Sequence, residues 1–207
     1  MRFNQIAEFA CILMLLAAFG ELDAKSRPSP RAAQSFPTMT AAIDEITTQY
    51  KTRVGLEYAS NDVDRTPINL DISESAIAKV LDSLVAQKPD YSWELIDGIY
   101  DIHPKAVSDS ILSVHIRAFS VTSATGREVS EAISLIPEVK EWMLRHGVQR
   151  RELETGSRWA ESDPRVTLHL KDTSLRSLLN RVVKERQVKE WIVVRYGDKQ
   201  QYLAIYI

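Results

Sequence analysis

The chain has 207 residues, 44% of them apolar and 26% charged, with 26 Lys and Arg against 28 Asp and Glu. That length can bury a real core, and seven Gly and eight Pro exclude a collagen-like or low-complexity chain. A net charge of -2 gives no basic field for nucleic acid, and one cysteine excludes a disulfide framework or a thiolate metal cluster.

The amino terminus has the pattern of an export signal. Arg2 is followed by the unbroken apolar run Phe9–Phe19, short of the ~20 residues that span a membrane as a helix. Cys11 stands inside this run, whereas a lipid-modified cysteine would follow it. Residues 1–24 are therefore assigned as a signal peptide, leaving no membrane span after cleavage. Their removal takes away Arg2, Glu8, Glu21 and Asp23 and leaves the charges balanced. Residues 25–38 (KSRPSPRAAQSFPT) form a Pro-rich linker.

Next come a helix over Thr40–Lys51, with Ile43, Ile46 and Tyr50 on one face, and a short strand over Val54–Tyr58. The chain then repeats itself. Ile68–Leu95 matches Val166–Val193 without a gap, and Leu70, Leu81, Val85 and Trp93 return as Leu168, Leu179, Val183 and Trp191. Each copy opens on alternating apolar residues, the period of a half-buried strand. An amphipathic helix follows, with Ile77, Val80, Leu81, Leu84 and Val85 in the first copy and Leu175, Leu178, Leu179, Val182 and Val183 in the second. Ser75 and Thr173, or a neighbour of each, are placed to cap these helices. A hairpin closes each copy, the first over Tyr91–His103 around Asp97-Gly98, where both turn residues tolerate positive φ, the second over Trp191–Ile207 around Gly197-Asp198.

Between the copies, Leu112–Val121 reads as a strand with Leu112, Val114, Ile116 and Ala118 on one face. Thr125 and Glu128 have capping-box spacing at the start of a helix that Pro137 interrupts. Residues 149–164 are polar and irregular. The fold class is thus α+β: two related β-α-β-β modules after the signal segment, each a small mixed sheet packed by helices, over residues 39–106 and 107–207.

Residues 54–104 (VGLEYASNDVDRTPINLDISESAIAKVLDSLVAQKPDYSWELIDGIYDIHP) resemble the secretin and TonB-receptor short N-terminal domain, and residues 166–207 are a looser relative of its last half. The resemblance rests on pattern and order, with a central leucine near Leu81. It implies a periplasmic recognition module that docks partner proteins, and it carries no catalytic residue. A secretin or receptor would continue into a long barrel-forming region, which this sequence does not contain.

Chemistry finds no motif. There is no G-x-S-x-G elbow and no Gly-rich phosphate loop. His103, His115, His146 and His169 are scattered without ligand spacing, and the carboxylate pairs Asp62/Asp64 and Asp97/Asp101 fall in expected turns. No catalytic residue, metal ligand or cofactor is therefore assigned. Trp159, beside Arg158 and near Arg151 in the polar loop, has no core role and suits an interface anchor. Leu70, Leu81, Trp93, Leu168, Leu179 and Trp191 are structural repeat positions. The strands Gln201–Ile207, with Tyr202 and Ile207, and Leu112–Val121 are candidate open edges for a second protein or a second copy. The expected function is a non-catalytic, periplasmic or secreted protein-interaction module, an accessory of an envelope transport, secretion or signalling assembly. The alternative is an envelope small-ligand binder or hydrolase with a site in the cleft between the modules, holding His103 or Trp159.

Overall fold

A computed structural model describes residues 33–58, 66–105, 109–150, 164–196 and 201–207. The signal segment, most of the linker, the pair Asp62/Asp64 and the turn around Gly197-Asp198 lie outside the described residues. The element order is β1 (Gln34–Phe36), α1 (Met39–Tyr50), β2 (Val54–Tyr58), β3 (Ile68–Leu70), α2 (Ile77–Gln87), β4 (Tyr91–Ile96), β5 (Ile99–Pro104), a 3-10 turn (Ile111–Ser113) and β6 (His115–Ala124). It continues with α3 (Gly126–Leu135), α4 (Pro137–Arg145), β7 (Val148–Arg150), β8 (Val166–Ser174), α5 (Leu175–Arg186), β9 (Glu190–Tyr196) and β10 (Gln201–Tyr206).

The fold is α+β. Its sheets are arranged differently from two separate modules, because both hairpins enter one six-stranded sheet of order β4-β5-β2-β9-β10-β7. β2 lies between the hairpins and runs parallel to both β5 and β9. Since β4 is antiparallel to β5, β4 and its repeat equivalent β9 run in opposite directions. The second copy is therefore inverted relative to the first. The opening strands of the two copies stand apart from this sheet, with β3 paired to β1 and β8 to β6.

Side-chain alternation builds a core on each face of the shared sheet. Val54, Leu56 and Ile192 join α1 and α2 in one cluster through Ile43, Ile46, Leu81 and Leu84. Trp191, Val193, Leu203 and Ile205 join α3, α4 and α5 in the other through Val129, Trp142, Leu179 and Val183. Neighbouring residues of β9 thus serve opposite cores, which is why a near-continuous apolar run occupies a strand buried on both sides.

The repeat extends to single hydrogen bonds. Trp93 donates its indole N–H to Asp82 Oδ1 at 2.9 Å, and Trp191 donates its own to Asn180 Oδ1 at 2.8 Å. Leu81 and Leu179 are both fully buried, as are Leu70 and Leu168 nearly so. The two tryptophans differ in depth: Trp191 sits on a central strand and is buried, whereas Trp93 sits on an edge strand and is half-buried against Tyr100.

Several local expectations shift. Ser75 does not cap α2, whose N-cap Ala76 supplies no side-chain hydrogen bond, while Ser174, the neighbour of Thr173, caps α5 by accepting from Ser177 N at 3.1 Å. Leu112 lies in the 3-10 turn and not in a strand, and on β6 Ala118 is exposed while Phe119 is buried. The β6–β8 register is constant from His115 to Val121 and shifts only between Val121 and Ala124. Gln149 and Arg150, expected in the irregular segment, belong to β7. The capping box is present in full. Thr125 Oγ1 accepts from Glu128 N at 3.3 Å, and Thr125 N donates to Glu128 Oε2 at 2.7 Å. Thr125→Ala is expected to cost about 1 kcal/mol, read as a lower urea midpoint with an unchanged slope.

Candidate functional site

The face of the sheet under α5 is apolar over β9 and β10 and polar over β4, β5 and β2. One row across it runs Glu94, Asp101, Gly55, Trp191, each opposite the next in the ladder. Asp101 is 0% exposed, and neither of its carboxylate oxygens accepts a hydrogen bond from a described residue. Its counter-charge is Arg176, in the first turn of α5, whose Nε lies 3.0 Å from Asp101 Oδ2 as an ion pair without hydrogen-bond alignment. The Nη1 of the same guanidinium reaches Glu94 Oε1 at 3.3 Å, and His103 Nε2 approaches that oxygen at 3.3 Å. Beside this group, buried Glu57 takes the Ser110 hydroxyl at 2.8 Å.

Burial dominates the electrostatics. It pushes the Asp101 carboxyl up to about 6, against the opposing pull of Arg176 and His103, and it raises Glu57 in the same direction against the Ser110 hydrogen bond. The arrangement ties the two copies together, because Arg176 belongs to the second helix while Glu94 and Asp101 belong to the first hairpin. The first copy has Ala78 at the matching helix position, so this bridge is made once.

Asp101 corrects the expectation that the pair Asp97/Asp101 lies in turns. Asp97 does, with φ 52, but Asp101 points into the interior from β5. The signal for it was present: a lone charge between Tyr100 and Ile102 in a strand that turns out to be buried on both faces. Arg176 was harder to find, since its partner is remote in sequence and an Arg in a first helical turn reads as solvated.

The histidines occupy separate elements. His115 on β6 and His169 on β8 are exposed, and His169 Nδ1 lies 2.8 Å from Ser120 Oγ. His146 stacks on buried Trp142 at the end of α4, with ring centroids 4.1 Å apart. Among the described residues no His, Cys, Asp and Glu side chains converge to hold a metal ion. No helix of the described residues is long and apolar enough to cross a membrane.

Of the residues assigned to partner binding, Arg151, Arg158 and Trp159 lie outside the described residues. Tyr202 is half-buried on β10 between Tyr196 and Gln149. β10 is thus an interior strand over Gln201–Leu203 and not an open edge, because β7 returns parallel to it. Ile207 is half-buried, and its carbonyl accepts from Arg186 Nη1 at 3.1 Å. It also lines a cleft of about 650 Å³ with Thr38, Asp44, Lys189, Glu190 and Tyr206. The second expected edge is an edge in the structure: among the described residues β6 pairs with β8 alone. A third edge, unmarked in the sequence, is β4, which among the described residues pairs with β5 alone. No family model matches the chain, nor does any curated protein or solved structure.

Proposed function

We propose that this chain is a non-catalytic protein-interaction module of the cell envelope, exported by its amino-terminal segment and serving as an accessory of a transport, secretion or signalling assembly. The observation that carries the reading is β6, a strand of 10 residues hydrogen-bonded on one side only among the described residues. Such a strand offers backbone donors and acceptors to an added strand. The buried charges support the same reading, since Asp101 is set against Arg176, which also reaches exposed Glu94, and Glu57 accepts from Ser110. Those groups are occupied with holding the fold.

The cleft at Thr38, Lys189 and Ile207 favours a second reading, a small-ligand binder with its site between α1 and the second copy, since its volume is in the usual range for such sites. One experiment separates the two. A photoreactive residue placed at Ala118 on β6 is expected to crosslink an envelope protein in the native host, whereas the same probe at exposed Lys79 on α2 does not. Equal labelling at both positions overturns the first reading. A small molecule, without protein, in native mass spectra of the chain taken from its envelope supports the second.

A further inference from the structure

We propose that the edge strand β4 pairs antiparallel with β4 of a second copy of this chain, centred on Trp93, so that two six-stranded sheets join into one. This surface is separate from β6 and independent of the partner proposed for it.

β4 ends at the turn Asp97-Gly98, where both residues have positive φ (52 and 72). A turn of that kind makes its flanking residues, Ile96 and Ile99, a hydrogen-bonded pair. Pairing then alternates, so Glu94 and Ser92 also bond to β5 while the backbone groups of Trp93 and Leu95 point away from the sheet. The pairing from Tyr91 to Ile96 is continuous, without a bulge. The strand contains no proline and no lysine, the usual devices that blunt an edge. The face it turns toward α2 carries Leu95 at 58% exposure beside half-buried Trp93, whose indole donates to Asp82.

Three features select a second copy as the cover. The net charge of -2 gives two copies little mutual repulsion. The strand is compatible with itself about Trp93: Glu94 then faces the partner's Ser92, and Leu95 lies opposite the backbone of the partner's Tyr91, whose side chain is buried in its own core. Moving the centre one residue, to Glu94, would set two carboxylates opposite each other, which disfavours that register. In the Trp93 register the two central residues exchange both backbone hydrogen bonds, and the apolar face of Trp93 and Leu95 continues across the junction.

Sedimentation equilibrium of the purified chain tests this. A reversible dimer is expected, with a dissociation constant of roughly 1–100 μM because the junction is small. Leu95→Lys is expected to weaken it at least tenfold without lowering the thermal midpoint, since the side chain is exposed. Ser92→Lys is expected to tighten it severalfold through the partner's Glu94, an effect specific to the Trp93 register. Hydrogen exchange supplies a backbone readout: the Trp93 and Leu95 amides should slow as concentration rises. A chain that stays monomeric throughout, or a dimer indifferent to Leu95→Lys with fast Trp93 and Leu95 amides, overturns the proposal. Crosslinking at Ala118 is unaffected by either result, so the two surfaces succeed or fail separately.

Discussion

Gly55→Ala is expected to destabilise the chain by about 3 kcal/mol or more, at the upper end of what overpacking costs. Gly55 lies opposite Trp191 in the parallel β2–β9 pair, and the indole lies across its backbone. A methyl group there would overlap Trp191 Cζ2 and Cε2. The ring has no escape. Trp191 is 0% exposed and its N–H is held by Asn180. The penalty is one of space between two strands that join the halves of the sheet. For a chain of this size it corresponds to a thermal midpoint lower by roughly 6–12 °C. Trp191→Leu supplies the control. That substitution is itself destabilising, but Gly55→Ala should cost much less in its background, a coupling that a double-mutant cycle reads directly. Additive costs would mean that the indole is not the obstacle.

The second large effect belongs to Arg176. Arg176→Met is expected to cost about 1.5 kcal/mol at pH 7, since it strips the nearest counter-charge from a buried carboxylate that can then take up a proton instead. The effect has a pH signature. Asp101 holds its proton more tightly folded than unfolded, with a folded pKa of about 6 against an ordinary 3.8. Its contribution therefore favours folding at low pH and is lost as pH rises from about 4 through 6. Glu57 acts with the same sign. Without Arg176 the Asp101 pKa rises further, so in Arg176→Met the loss should extend past pH 6 toward neutrality. Asp101→Asn added to Arg176→Met should restore most of the stability at pH 7 and flatten that slope. Urea unfolding across pH 4–8 measures both. If the single variant is as stable at pH 7 as at pH 5, the buried pair is not what Arg176 serves.

Much of the fold was legible because local chemistry and period agreed. The two amphipathic helices, the Asp97-Gly98 hairpin, the Thr125–Glu128 box and the break at Pro137 each follow from residues close in sequence. Strand order was not legible, because it depends on where β2 inserts, and Val54–Tyr58 carries no mark of its partners. With β2 joining both hairpins the strand at Tyr91–Ile96 became an edge, and with β7 returning beside β10 the Gln201–Leu203 part of the expected outer strand became interior. The polar group at Glu94, Asp101 and Arg176 stayed hidden for the same reason: it is assembled from two copies whose relative inversion only the sheet reveals. In hindsight Gly55 was a clue, as a bare position in a strand marks a close approach.

Native-state hydrogen exchange is the most direct test of the central claim, that two inverted copies share one sheet and one cooperative unit. The account predicts that amides of β2, β5 and β9 exchange only through global unfolding, with one common free energy across both copies, while amides on the outer edge of β6 exchange fast. If the α2–β4–β5 half opens at its own lower free energy while β9 and β10 stay protected, the copies are independent modules and the shared-sheet account is wrong.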